Sequence, residues 1–208
     1  AFESGELHFV PLKNCVADTQ GAIGYQIQES LCNAFKKRGI KKSAASLVTM
    51  VEVDPKDPSF ENPTKPIGLF YSKEKFDSLK REHPDWVMVN VEGKGFRRMV
   101  PSPLPRRIIE IQAIKSLVKE GFCVIAAGGG GIPVVADEKG NLSGVNAVID
   151  KDLSTAVMAL DLSVDLLIIL TPVANVFTDF NKPGQKALDR LTVFEAEQLI
   201  AQGQFAQG

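Results

Sequence analysis

Apolar residues recur at Ile23, Ile27, Leu31 and Phe35, every fourth position, among polar neighbours such as Gln26, Glu29 and Lys36. That one-faced stripe predicts a helix over residues 15–37, and Arg38-Gly39 supplies its glycine stop. Ser46–Val53 is rich in β-branched residues and predicts a strand. Residues 54–68 hold four prolines, which deny both a helix and a central strand and predict an ordered loop. Ser72–His83 predicts a polar amphipathic helix, and Trp86–Val91 and Phe96–Val100 predict two strands joined at Glu-Gly-Lys-Gly. Residues 54–100 therefore read as a small protruding lobe.

The pattern then changes. Ile108, Ile109, Ile111, Ile114, Leu117 and Val118 give Arg106–Glu120 a broad apolar face, predicting a helix that Gly121 ends. A strand at 122–127 follows, then a small hairpin across Asp137–Ser143, a helix over Asp152–Leu162, a buried-type strand at Leu166–Thr171 and a final helix over Thr192–Gln202. Helix–strand–helix–strand over 104–171 implies an α/β fold with a mainly parallel sheet covered by helices.

Composition narrows the classes. With 208 residues and 44% hydrophobic, the chain suits a single globular α/β domain. A net charge of −1 leaves no electrostatic footprint for nucleic acid, and the basic pairs Lys41-Lys42, Arg97-Arg98 and Arg106-Arg107 are short. No apolar run reaches the ~18 residues that span a bilayer, and no secretory signal opens the sequence. Cys15, Cys32 and Cys123 are odd in number and widely spaced, and His8 and His83 have no partner at metal-ligand spacing. These features argue against a disulfide scaffold, a zinc site or a Cys-His nucleophile, and they fit a reducing, cytoplasmic setting.

The candidate chemistry starts at Val124-Ile-Ala-Ala-Gly-Gly-Gly-Gly-Ile-Pro133, an apolar strand running into Gly128, Gly129, Gly130 and Gly131. Backbone without Cβ atoms can approach a bound group and turn its N–H groups toward an anion, and the carboxyl end of a parallel strand is where α/β sheets bind ligands. The alternative is a bulged strand end without a ligand. Neither the Gly-Lys-Ser/Thr of a Walker loop nor the Gly-x-Gly-x-x-Gly spacing of a dinucleotide fingerprint is present. Asp150-Lys151-Asp152 opens the next helix. It is either an ordinary cap, with Asp152 satisfying the first N–H groups, or a cation for a transferring phosphoryl group that Asp152 orients. Lys65, in Pro63-Thr64-Lys65-Pro66, is either a solvated loop lysine or one presented from a stiffened base.

In this order the motifs resemble carbamate kinase, of the amino-acid-kinase superfamily. The resemblance rests on Thr19-Gln20-Gly21-Ala22-Ile23-Gly24-Tyr25, Val51-Glu52-Val53-Asp54, Asn62–Gly68, Arg97-Arg98-Met99-Val100-Pro101-Ser102-Pro103, the glycine run, Ala147–Leu153, Leu167–Thr171 and Asn181-Lys182-Pro183. It runs from about Pro11 to Gly208. It implies a three-layer α/β/α sandwich with a mainly parallel central sheet, plus the protruding subdomain. It also implies reversible phosphoryl transfer between carbamoyl phosphate and ADP, giving carbamate and ATP, with Mg2+, in arginine fermentation and in a homodimer.

On that resemblance Lys151, Asp152 and Lys65 are catalytic, and Gly128–Gly131 line the phosphoryl end. Thr171, Val173, Val176 and Lys182 border the nucleotide, and no protein side chain binds the metal. The family's Gly-Gly-Asn-Ala strand end and Gly-Asn-Gly-Pro loop have no counterpart in these residues, and Gly208 falls where the family continues Ser-Met-x-Pro-Lys. The expectation is a shortened carbamate kinase. The alternative is a non-catalytic relative that binds nucleotide or only dimerises.

Overall fold

The computed structural model describes residues 10–205; His8 and residues 206–208 lie outside them. The chain divides into two compact units, one through Leu167 and one from Ile168. The first unit opens with α1 (Leu12–Arg38), which ends on Gly39 in the left-handed conformation at φ 65°. The face of α1 pressed on the body is Val16, Gln20 and Gly24, whereas Ile23 and Ile27 of the apolar stripe are exposed. Gly24 sits against Ser46, where a side chain would collide.

Two short strands follow, β1 (Ala44–Ser46) and β2 (Met50–Val53). The single strand expected at Ser46–Val53 is therefore broken at Leu47–Thr49, because the chain leaves one sheet there and enters another. A three-residue 3-10 turn (Pro58–Phe60) and loop lead from β2 to the lobe. Its strands are β3 (Lys65–Tyr71), β4 (Val87–Val91) and β5 (Gly95–Val100), paired antiparallel in the order β3-β5-β4. Pro66 lies in β3, further into the expected loop than a strand was read, and is tolerated because β3 is an edge strand. Helix α2 (Lys73–Glu82) is capped by Ser72 and stacks Phe76 on Phe96 of β5, centroids 4.1 Å apart.

Beyond the lobe, β6 (Pro105–Ile108) precedes α3 (Ile111–Lys119). This corrects the helix expected over Arg106–Glu120: its first turn is a strand, since Ile108 pairs with Val51 and both are fully buried. A run of isoleucines fits a buried strand as well as a helix face. The remaining elements are β7 (Cys123–Ile125), β8 (Ile132–Ala136), β9 (Leu142–Gly144) and α4 (Lys151–Leu162). Strands β1 and β7 pair in parallel. The four-stranded sheet runs β6-β2-β8-β9, parallel between β2 and β8 and antiparallel at both edges. The sheets are thus mixed, with the parallel pairing at the centre. Val51, Val53, Ile108, Ile114 and Ile149 form the core.

Leu166–Thr171 was expected as a buried strand. It forms none, and Leu166 and Leu170 are 74% and 93% exposed. A strand needs a lateral partner for its N–H and C=O groups, and among the described residues none pairs with this segment. The second unit contains a hairpin of β10 (Val176–Thr178) and β11 (Lys186–Leu188), then α5 (Val193–Ala201), opened by a Thr192–Glu195 capping box.

Candidate active site

After β7 the chain turns sharply. Ala127 is left-handed (φ 53°), Gly128–Gly130 form one 3-10 turn, and Gly129, Gly130 and Gly131 all have positive φ. The N–H groups of Gly130 and Gly131 are spent inside the turn, on the carbonyls of Ala127 and Gly128 at 3.0 and 3.2 Å. Gly128 and Gly129 are exposed, and among the described residues no acceptor meets their N–H groups. The donors this turn can offer an anion are therefore those two.

A buried side-chain network holds the turn in place. Gln20, 5% exposed on α1, donates to the carbonyls of Thr49 and Gly128, both at 3.1 Å, and accepts the Thr49 N–H at 2.7 Å. The Thr49 hydroxyl accepts the Ala127 N–H at 3.0 Å. Thr49, in the break between β1 and β2, thus helps to hold the glycine turn. Gln20→Ala strands the Thr49 N–H and takes one of two donors from each carbonyl, Thr49 keeping the Ile132 N–H and Gly128 the Gly131 N–H, so it is expected to cost about 1–3 kcal/mol of unfolding free energy. Urea denaturation checks this; a loss under about 0.5 kcal/mol would show that the network does not hold the turn.

The start of α4 packs on the same turn. Ser154, fully buried one turn into the helix, donates to the Gly130 carbonyl at 2.6 Å. Asp150 is the N-cap, accepting the N–H groups of Asp152 and Leu153 at 2.9 and 3.3 Å. This corrects the expectation that Asp152 does the capping: the cap precedes the helix, and Asp152 is exposed in its first turn. Lys151 is exposed as well, and among the described residues its ammonium has no partner.

Lys65 reaches this point from the lobe. Its Nζ donates to Oδ2 of Asp150 at 2.9 Å, both side chains being about a quarter exposed. Glycine turn, helix start and lobe lysine are therefore joined at one place, and Asp150 is the residue that sequence reasoning assigned no role. An aspartate directly before a helical lysine was the available signal.

The Lys65 hydrogen bond, aided by the capped N–H groups and opposed by partial burial, holds the Asp150 carboxyl below its ordinary value of 3.8. A lowered folded pKa gives stability that is present above the unfolded value and lost as pH falls through the folded one. Unfolding free energy is thus expected to drop below about pH 4, and the part of that drop due to this pair should vanish in Asp150→Asn. At neutral pH that substitution should cost about 0.5–1 kcal/mol. Denaturation of both proteins across pH 2–7 measures it; identical pH profiles would exclude the pair.

The residues expected at the nucleotide lie in the second unit. The Thr171 hydroxyl donates to the Val173 carbonyl at 2.8 Å, Val173 and Val176 are exposed, and Lys182 lies in a turn closed by its N–H on Asp179 at 2.9 Å. Among the described residues no group of three His, Cys, Asp or Glu side chains could hold a metal ion, and no helix is long and apolar enough to cross a membrane.

Residues 25–208 match the amino acid kinase family. The chain belongs to that family. It is 51% identical over 202 residues to the carbamate kinase-like protein YahI of Escherichia coli (strain K12), covering 97% of this chain and 64% of that protein. It is 48% identical over 208 residues to carbamate kinase 2 of Enterococcus faecalis (strain ATCC 700802 / V583), covering 100% and 66%. Among solved structures, carbamate kinase from Giardia lamblia bound to AMP-PNP superposes with a TM-score of 0.88 at 39% identity, covering 100% of this chain and 65% of that one. The chain thus spans about two thirds of the length of the relatives it matches. Its fold is the α/β fold of the amino acid kinases, with mixed and parallel sheets and packed helices.

Proposed function

We propose that this chain carries the phosphoryl-transfer machinery of a carbamate kinase, moving a phosphoryl group reversibly between carbamoyl phosphate and ADP. The observation that carries the reading is the junction of Gly130 with Ser154 and of Lys65 with Asp150, which gathers a glycine turn, a helix start and a lobe lysine. Phosphoryl transfer asks a protein mainly for position and charge complementarity. The free N–H groups of Gly128 and Gly129 would bind a phosphoryl oxygen, and the unpaired ammonium of Lys151 would neutralise the charge that spreads over the group in flight. Asp150 holds the helix start rigid, Asp152 orients Lys151, and Lys65 draws the lobe over the substrate.

On this reading Thr171, Val173, Val176 and Lys182 border the nucleotide. AMP-PNP in the Giardia structure supports nucleotide use. Mg2+ usually relies on substrate phosphates and water with one or two carboxylates, so on this reading the metal arrives with the nucleotide. When bound it screens the phosphate charge. The reading extends to a homodimer, supported by exposed Ile23, Tyr25 and Ile27 along α1, and to arginine fermentation in the cytoplasm.

A coupled assay of ATP formation from carbamoyl phosphate and Mg-ADP tests the activity, and calorimetric titration with Mg-ADP tests nucleotide binding. Turnover supports the proposal. Heat of binding without turnover would instead establish a non-catalytic nucleotide binder, and neither signal would reject both readings.

A further inference from the structure

A polar cavity lies at the root of the lobe. It measures about 330 Å³, at the small end of ligand pockets. Leu12, Pro101 and Asn146 line it from the body, and Trp86, Arg98 and Met99 from the lobe. Arg98 is the unusual member. Its guanidinium carbon lies over Trp86, 3.6 Å from the ring centroid, and His83 stacks against the same indole at 4.1 Å, 7° from parallel. The Arg98 Nε is buried and meets no acceptor among the described residues. Burial pushes the guanidinium pKa down, outweighing the opposing attraction of the Asp85 carboxylate. Asp85 also lines the cavity, but it is exposed and forms no ion pair with Arg98 among the described residues.

A guanidinium presents five donors and no acceptor, in a fork that matches a carboxylate or a phosphate. A buried donor left unmet in a cavity is short of an acceptor, and in native proteins such groups usually have one. We propose that this cavity is an oxyanion subsite, distinct from the glycine turn, in which Arg98 receives the carboxylate or phosphate group of a small anion. The indole packs against the guanidinium and restrains it, so the subsite is preorganised. An anion seated there also ties β5 to the body two residues from Val100, the residue paired with Lys65.

Trp86 is the sole tryptophan, so its fluorescence reports this cavity directly. The experiment titrates the full chain, without nucleotide, with sodium phosphate and separately with sodium acetate, against sodium chloride at equal ionic strength. A saturable change with phosphate, acetate or both is expected, and none with chloride. A response to one anion alone assigns that class; a response to both assigns the shared oxyanion chemistry. Arg98→Met should weaken binding at least about tenfold, whereas Lys151→Ala should leave it unchanged. If far-UV circular dichroism shows that Arg98→Met does not fold, Arg98→Lys decides, since it keeps the charge and loses the fork, and about tenfold weakening is expected. No saturable response to either anion, binding unchanged in the folded Arg98 variant, or loss of binding in Lys151→Ala would overturn the proposal. Because the readout needs no turnover, its failure is separate from failure of the kinase reading.

Discussion

Alanine at Gly130 is expected to destabilise the chain by at least about 3 kcal/mol, while alanine at Gly128 should cost under about 1 kcal/mol. Three adjacent glycines differ in backbone conformation and in surroundings. At Gly128 φ is ordinary and an added Cβ would meet the Gln20 side chain at 3.4 Å, a van der Waals contact. At Gly129 the space is open but φ is +67°, so only the left-handed penalty of roughly 1–2 kcal/mol applies. At Gly130 φ is +100° and the Cβ would run into the Ile149 carbonyl, whose carbon is 2.9 Å away. Ile149 belongs to the core and sits just before the Asp150 cap, so it cannot retreat without disturbing both. Urea denaturation of the three variants should rank them Gly128, Gly129, Gly130 in rising cost. Equal losses across the series would show that composition, rather than the fit against Ile149, governs the turn. On the proposed function, turnover in Gly130→Ala should fall with it, because the same displacement moves the helix start.

How much of this was legible in the sequence depends on the range of the interactions involved. Helices with local signals were read to within a few residues: Arg38-Gly39 stops α1, Ser72 caps α2, and Thr192 opens α5. The lobe hairpin was legible from its glycine turn. Long-range pairing was not. Ile108 reads equally as helix or strand until Val51 lies opposite it, and the gap at Leu47–Thr49 makes sense only once Gln20, 29 residues before Thr49, fills it. Leu166–Thr171 shows the same limit in reverse: an apolar run signals capacity for a strand, but the strand requires a neighbour. For the site, glycines and lysines announced themselves by residue type. Asp150, which links Lys65 to the helix start, did not, because its role is set by a partner 85 residues away.

Lys151→Ala is expected to lower the rate of ATP formation from carbamoyl phosphate and Mg-ADP by about 10²–10³-fold, with little change in stability. The two halves of that expectation have separate causes. Lys151 is exposed at the first position of α4 and its ammonium makes no hydrogen bond or ion pair among the described residues, so its loss should change unfolding free energy by no more than about 0.5 kcal/mol. Its charge does nothing for the fold and is available to a substrate. Lys65 offers the contrast, since its ammonium is engaged by Asp150, and removing it breaks a structural contact as well. On the proposed mechanism the charge Lys151 meets develops on the transferring phosphoryl group, so the loss should fall on kcat more than on KM. Lys151→Arg should recover part of the rate, limited by the bulk and fixed plane of the guanidinium. Steady-state kinetics beside denaturation curves for the three proteins measure all of this. A Lys151→Ala enzyme within about threefold of wild type would remove Lys151 from the reaction and leave the glycine turn and Lys65 to account for any catalysis.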